Sequence, residues 1–241
     1  MRRLGALLAA GALALSACGT EEQPAEAPDE QRVPEPDGRL AAALGDSITA
    51  GNPGYDPDPA QRAELGFGAD PRSTYEYWAE RAAPQLEYRN CGVFGERTDE
   101  IAERLEACAE DADVLIVQGG INDIAQGRPV ADAAEDLRAM VERGQELGLP
   151  VAIANVLPWN NGHPAADRPI AELNRRIAEI SRETHARLLP FHEALERPPG
   201  SGLMGRGLTT DGDHPSVSGY RLLGELVVER LRSVIVTEPA S

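Results

Sequence analysis

The sequence predicts an α/β protein: a parallel sheet covered by helices on both faces. Three observations predict it. From Leu40 onward, short apolar runs of strand length alternate with amphipathic stretches of helical length. Strands that alternate with helices are joined by crossovers, so they run parallel and are covered on both sides. The runs are apolar throughout rather than at every second position, as strands buried on two faces should be. A chain of 241 residues suits one domain with a well-covered core, and neither an internal repeat nor a second domain is visible.

The first residues stand apart from that pattern. Arg2 and Arg3 form a positive start, and residues 4–15 are apolar over a stretch too short to span a bilayer comfortably. The stretch ends Leu15-Ser16-Ala17-Cys18, which resembles the bacterial lipobox, where the cysteine becomes the lipidated first residue of the mature protein. The alternative is a plain secretory signal cleaved nearby. Several acyl chains on Cys18 would anchor the chain stably, where one would not. Residues 19–38 are rich in Glu, Pro, Ala, Asp and Gln and lack an apolar period, so they cannot bury enough surface to order themselves. They read as a tether with a coil span on the order of 25 Å. The expected organisation is a signal over residues 1–18, a linker over 19–38, a folded domain over 39–235 and a tail over 236–241. The protein is expected to be exported, facing away from the cytoplasm and held to the membrane through Cys18.

In the body, the strands are expected at "LAAALG", "LEYRN", "DVLIVQGG", "PVAIANVLP" and "ARLLPF". Helices are expected over residues 73–83, 98–109, 130–147, 167–185 and 216–234. In the third of these, Ala133, Leu137, Met140, Val141 and Leu147 share one face. With Cys18 set aside, Cys91 and Cys108 remain, and export invites a disulfide. Cys91 ends a strand and Cys108 lies far along the following helix, and an unbroken helix would hold them beyond the ~6 Å a disulfide spans. The pair reads either way.

The net charge of −17 and a pI near 4.6 argue against a nucleic-acid binder, since phosphates would be repelled. Every basic residue other than histidine is arginine, which reflects composition bias rather than function.

Ligands in such folds sit at the carboxyl ends of the strands. The segments there are Gly45-Asp46-Ser47, Asn90-Cys91-Gly92, Gly119-Gly120-Ile121-Asn122-Asp123, Pro158-Trp159-Asn160-Asn161 and the stretch around Asp211-Gly212-Asp213-His214. Ser47 stands at a strand-to-helix turn, where it could cap the helix or, with a base in reach, act as a nucleophile. Of the four histidines, His185 lies in a helix and His192 follows a strand in "PFHEAL". His163 lies in a loop on the active face, where it and Trp159 are candidate substrate contacts. His214 is the natural base for Ser47, and Asp211, three residues earlier, can face its Nδ1–H and fix the tautomer. Gly92 and Asn122 end the second and third strands and are candidate oxyanion donors, beside the Ser47 N–H. Asp46 is expected to shape the turn. Taken singly, each of these is also ordinary cap or turn chemistry. The long connection "GNPGYDPDPAQRAELGFGADPRS" is expected either to shape the substrate site or to be mobile. Tyr55, Phe67, Tyr75 and Trp159 are candidates to line an acyl or aryl pocket, though Tyr75, Tyr77 and Trp78 fit a helix core better.

Together and in this order, "GDSIT", "NCGVFGERT", "GGIND" and "DGDHPSVSGY" resemble the sequence blocks of the GDSL/SGNH hydrolase superfamily, across essentially all of residues 40–233. "NVLPWNNGHPAADRPIAELNRRI" resembles the loop and helix after the fourth strand in lysophospholipase- and thioesterase-like members. The resemblance implies a flavodoxin-like three-layer α/β/α fold with a five-stranded parallel sheet. It implies Ser47 as nucleophile, His214 as base, Asp211 as its orienting acid, and Gly92 and Asn122 as oxyanion donors. It implies a serine esterase or acylhydrolase acting on a small-molecule, lipid or carbohydrate ester, thioester or O-acetyl group, with no metal or organic cofactor and no nucleic-acid partner, as a monomer. The third block departs from the common form by carrying Ile121 before Asn122. A rival expectation is a ligand-binding lipoprotein that kept the fold and lost turnover.

Overall fold

The five apolar runs pair as strands in the computed structural model, which describes residues 38–51, 71–159, 161–209 and 211–235. They are β1 (Arg39–Gly45), β2 (Leu86–Gly92), β3 (Val114–Val117), β4 (Val151–Ala154) and β5 (Arg187–Leu189). All neighbours are parallel, in the order β2-β1-β3-β4-β5. The signal, Cys18, most of the linker, Tyr55, Phe67 and the tail lie outside the described residues.

Side chains alternate across the sheet, so each strand feeds two cores. Ala42, Leu44, Leu115, Val117 and Ile153 pack on one face, under α3 (Thr98–Ala102), α4 (Leu105–Ala109), α6 (Val130–Glu146) and α7 (Asp167–Thr184). Ala41, Ala43, Val114, Ile116 and Ala154 pack on the other, under α2 (Tyr75–Ala82), α8 (Phe191–Leu195) and α9 (Val217–Ile235). Two further short helices, α1 (Ser47–Ala50) and α5 (Ile121–Ala125), begin at the ends of β1 and β3. Leu44, Leu115 and Ile116 are fully buried, and each such side chain contributes roughly 1.5–3 kcal/mol. Tyr75 is fully buried and meets Phe191 edge to face at 5.4 Å, so it belongs to the core and not to a substrate pocket. Among the described residues, no helix is long and apolar enough to cross a membrane.

The expected helix over 98–109 is broken. It divides into α3 and α4 at Glu103 and Arg104, with no Gly or Pro to announce the break. Arg104 explains it: its guanidinium donates to the strand-end carbonyls of Cys91 (2.5 Å) and Gly45 (3.1 Å) and to Glu96. The bend turns α4 back toward β2. Cys91 and Cys108 are joined as a disulfide with Cα atoms 6.0 Å apart, which the unbroken helix would have prevented.

Candidate active site

The ends of β1, β3 and β4 and the loop before α9 meet at the carboxyl edge of the sheet. At the end of β1, Gly45 must lack a side chain. A Cβ there would lie 2.3 Å from Thr49 Oγ1 and 2.5 Å from Gln118 Oε1. These groups form a buried relay in which the Tyr75 hydroxyl donates to Thr49 Oγ1 (3.2 Å) and Thr49 donates to Gln118 Oε1 (2.9 Å). Gln118 Oε1 also accepts from the Asp46 N–H (3.2 Å). Asp46 then caps α1 by accepting from the Ile48 N–H at 2.9 Å, as the turn-shaping expectation requires. It is fully buried, and burial pushes its carboxyl up to about 6 against the opposing Ile48 hydrogen bond.

Ser47, the first residue of α1, lies 3.1 Å through its Oγ from His214 Nε2 across 167 residues of sequence. His214 Nδ1 lies 3.1 Å from Asp211 Oδ2. A carboxylate only accepts, so Nδ1 carries the hydrogen and Nε2 is left to accept the Ser47 proton. Asp211 is itself held, its Oδ1 accepting the N–H groups of Asp213 (2.9 Å) and His214 (2.8 Å). Burial pushes the Asp211 carboxyl up, but those two N–H groups and His214 outweigh it and hold the carboxyl below the usual range. Asp211 therefore stays ionised. Thr209 secures the loop from both sides, donating to the His214 carbonyl (2.8 Å) and accepting from the Gly212 N–H (2.8 Å).

Asn122 sits in the first turn of α5. Gly120 allows that turn with a φ of 112°, packed so closely on Leu173 that a Cβ would meet it at 2.6 Å. α5 is pinned by the buried Asp123, which accepts from the Thr98 N–H (3.0 Å) and from Arg128 (2.7 Å). One hydrogen of the Asn122 amide donates to the Glu96 carbonyl at 2.9 Å, which fixes the plane of the amide.

Gly92 departs from expectation. Its N–H is occupied by the side chain of Asn90, Oδ1 at 2.9 Å. Its missing side chain serves packing, since a Cβ would lie 2.0 Å from Ala50 N in α1. The structure therefore contradicts the expectation that the Gly92 N–H is an oxyanion donor. Gly95 was missed. Its φ is 79°, and its N–H has no partner among the described residues. Gln126 Nε2 holds its carbonyl at 3.1 Å, and Asn122 holds the next one. The available signal was a second glycine in "CGVFGERT", just ahead of a helix start. The Ser47 N–H is likewise without a partner among the described residues, at the start of α1.

Trp159 and His163 lie beside this group. Trp159 Nε1 donates to Asp213 Oδ1 (2.7 Å), and the two rings stack with centroids 3.9 Å apart. His163 Nε2 is 3.3 Å from the same oxygen. The other two histidines stand elsewhere. His185 caps the C-terminal end of α7 with a φ of 59°, and His192 donates from Nδ1 to the Val156 carbonyl at 2.9 Å.

Known proteins share this fold. The model of the GDSL-like Lipase/Acylhydrolase family matches residues 43–222. Among curated proteins, none matches. Solved structures with the same fold include a G-D-S-L family protein from Desulfitobacterium hafniense, 22% identical with a TM-score of 0.67 over 80% of this chain and 99% of that one. They also include a lipase/acylhydrolase from Enterococcus faecalis, 24% identical with a TM-score of 0.65 over 84% and 100%. A third is the psychrotrophic esterase EstA from a Pseudoalteromonas species, 18% identical with a TM-score of 0.60 over 81% and 97%. With its five-stranded parallel sheet and a family match spanning most of its length, the chain belongs to the GDSL-like lipase/acylhydrolase family.

Proposed function

We propose that the protein is a serine esterase that cleaves carboxylic esters through an acyl-enzyme on Ser47. One observation carries the reading: the unbroken line from Ser47 Oγ to His214 Nε2 (3.1 Å) and from His214 Nδ1 to Asp211 (3.1 Å). Ser47 attacks the ester carbonyl while His214 Nε2 takes its proton, and ionised Asp211 stabilises the imidazolium. The negative charge that develops on the carbonyl oxygen is met by the Ser47 N–H, the second hydrogen of the Asn122 amide and the Gly95 N–H. That third donor replaces the Gly92 N–H. Each such donor is worth roughly 2.7–4 kcal/mol in the transition state. His214 then gives its proton to the departing alcohol. Water, activated by the same imidazole, attacks the acyl-enzyme and releases the acid, which restores Ser47.

Ser47→Ala should abolish turnover of p-nitrophenyl acetate and labelling by a fluorophosphonate probe, with an unchanged circular dichroism spectrum. Full activity in that variant would remove the nucleophile assignment.

We also propose that the domain is exported and held to a membrane by lipid on Cys18, through residues 19–38 as a tether. The positive start, the short apolar stretch and Leu-Ser-Ala-Cys support this reading. Cells fed radiolabelled palmitate should label the protein, and Cys18→Ser should lose the label. Equal labelling of both would refute the anchor.

A further inference from the structure

Two cavities share a wall at Trp159. The first, of about 10 Å³, is lined by Ile48, Ile121, Val156, Leu157, Trp159 and Asp213. Three of these adjoin site residues in the chain: Ile48 follows Ser47, Ile121 precedes Asn122, and Asp213 precedes His214. The niche therefore adjoins the site, within reach of the acyl substituent of an ester held over Ser47. The niche is tight. Its centre has room for about one water-sized group, which is also the size of a methyl. Pro158 and Trp159 also line a second cavity of about 230 Å³, which continues along Ile170 and Ala171 to Gly200 and Gly202. The indole stands between the two. It is fixed there by its 2.7 Å bond to Asp213 and by its stacking on His163.

We propose that Trp159 is a specificity-determining partition that confines the acyl group to about acetyl size, and that the cavity behind it would take a longer chain were the indole removed. This rests on the esterase reading above. Each methylene that fits an apolar pocket adds about 0.8 kcal/mol, whereas one forced against a fixed ring adds nothing and misplaces the carbonyl. The indole's hydrogen bond and its stack hold the wall still. The preference is thus built from shape, and the carboxylate that fixes the wall belongs to the residue next to the base.

The experiment compares kcat/KM for p-nitrophenyl acetate, butyrate and octanoate in the purified wild type, Trp159→Ala and Trp159→Phe. The wild type should lose about tenfold or more between acetate and octanoate. Trp159→Ala should raise the octanoate-to-acetate ratio by about tenfold or more. Trp159→Phe, which keeps a ring in the wall but lacks the indole N–H, should hold the ratio near that of the wild type. A wild type that favours octanoate overturns the proposal without any variant, and so does a folded Trp159→Ala with an unchanged ratio. Fluorophosphonate labelling separates the two levels. If Ser47 is labelled and acetate is cleaved but the ratio does not move, the partition alone fails. If nothing is labelled and no ester is cleaved, the esterase reading fails and the partition falls with it.

Discussion

Replacing Gly92 with alanine tests whether that glycine packs or catalyses. The new Cβ would lie 2.0 Å from Ala50 N, 2.6 Å from Ala50 Cα and 2.7 Å from the Thr49 carbonyl carbon. All three are backbone atoms of α1, so no side chain can swing aside. Ordinary contact begins near 3.4 Å, so α1 must retreat by roughly 1 Å or more, and Ser47 opens that helix. A displacement of about 1 Å at the reacting group costs on the order of 100-fold in rate. Overpacking of this kind costs about 1–3 kcal/mol, or a Tm lowered by roughly 2–12 °C for a domain of this size. The alanine keeps its N–H, so any loss comes from the shift of α1 and not from a lost donor. The assay is p-nitrophenyl acetate turnover beside a thermal melt, with Gly95→Ala as the stability control. A Cβ at Gly95 meets nothing within 4 Å, so that variant carries only the left-handed strain of about 1–2 kcal/mol. A Gly92→Ala protein with wild-type turnover and wild-type Tm would refute the packing argument.

Asp46 should make stability depend on pH. Its folded pKa of about 6 stands above the ordinary 3.8, so the folded state holds the extra proton. Stability falls as pH rises from 3.8 to about 6 and is level above that. Asp46→Asn keeps an oxygen for the Ile48 N–H without burying a charge, so it should stabilise the protein by up to about 3 kcal/mol near pH 8. That gain should vanish in denaturant melts near pH 4, and a gain that grows toward acid would refute the sign. The disulfide closes a loop of separation 17, for which chain entropy predicts about 3 kcal/mol. Cys91→Ala with Cys108→Ala should therefore lower the Tm by roughly 6–12 °C. Free thiol at both positions in the denatured, unreduced wild type would show that the bond does not form.

Much of this protein could be read from local pattern. The "VLIV" of β3 is apolar at every position because both sheet faces are covered, as expected of a parallel sheet rather than a half-exposed antiparallel one. The five strands form where the runs lie, though β3 and β4 end three and four residues before their runs do, and the long helices 130–146, 167–184 and 217–235 follow within a residue or two of the pattern. Ser47, Asn122, Asp211 and His214 could be named because a parallel sheet delivers its strand ends to one edge. What local pattern does not carry is contact between distant segments. The fate of the Gly92 N–H depends on Asn90 and on where α1 passes. The break at Arg104, and the disulfide it permits, depends on carbonyls of two strands that the helix itself does not contain. The clamp of Trp159, His163 and Asp213 joins residues 54 apart in sequence. Periodicity reports which face of an element is buried, whereas these features depend on which atoms meet there, and only the packed chain decides that.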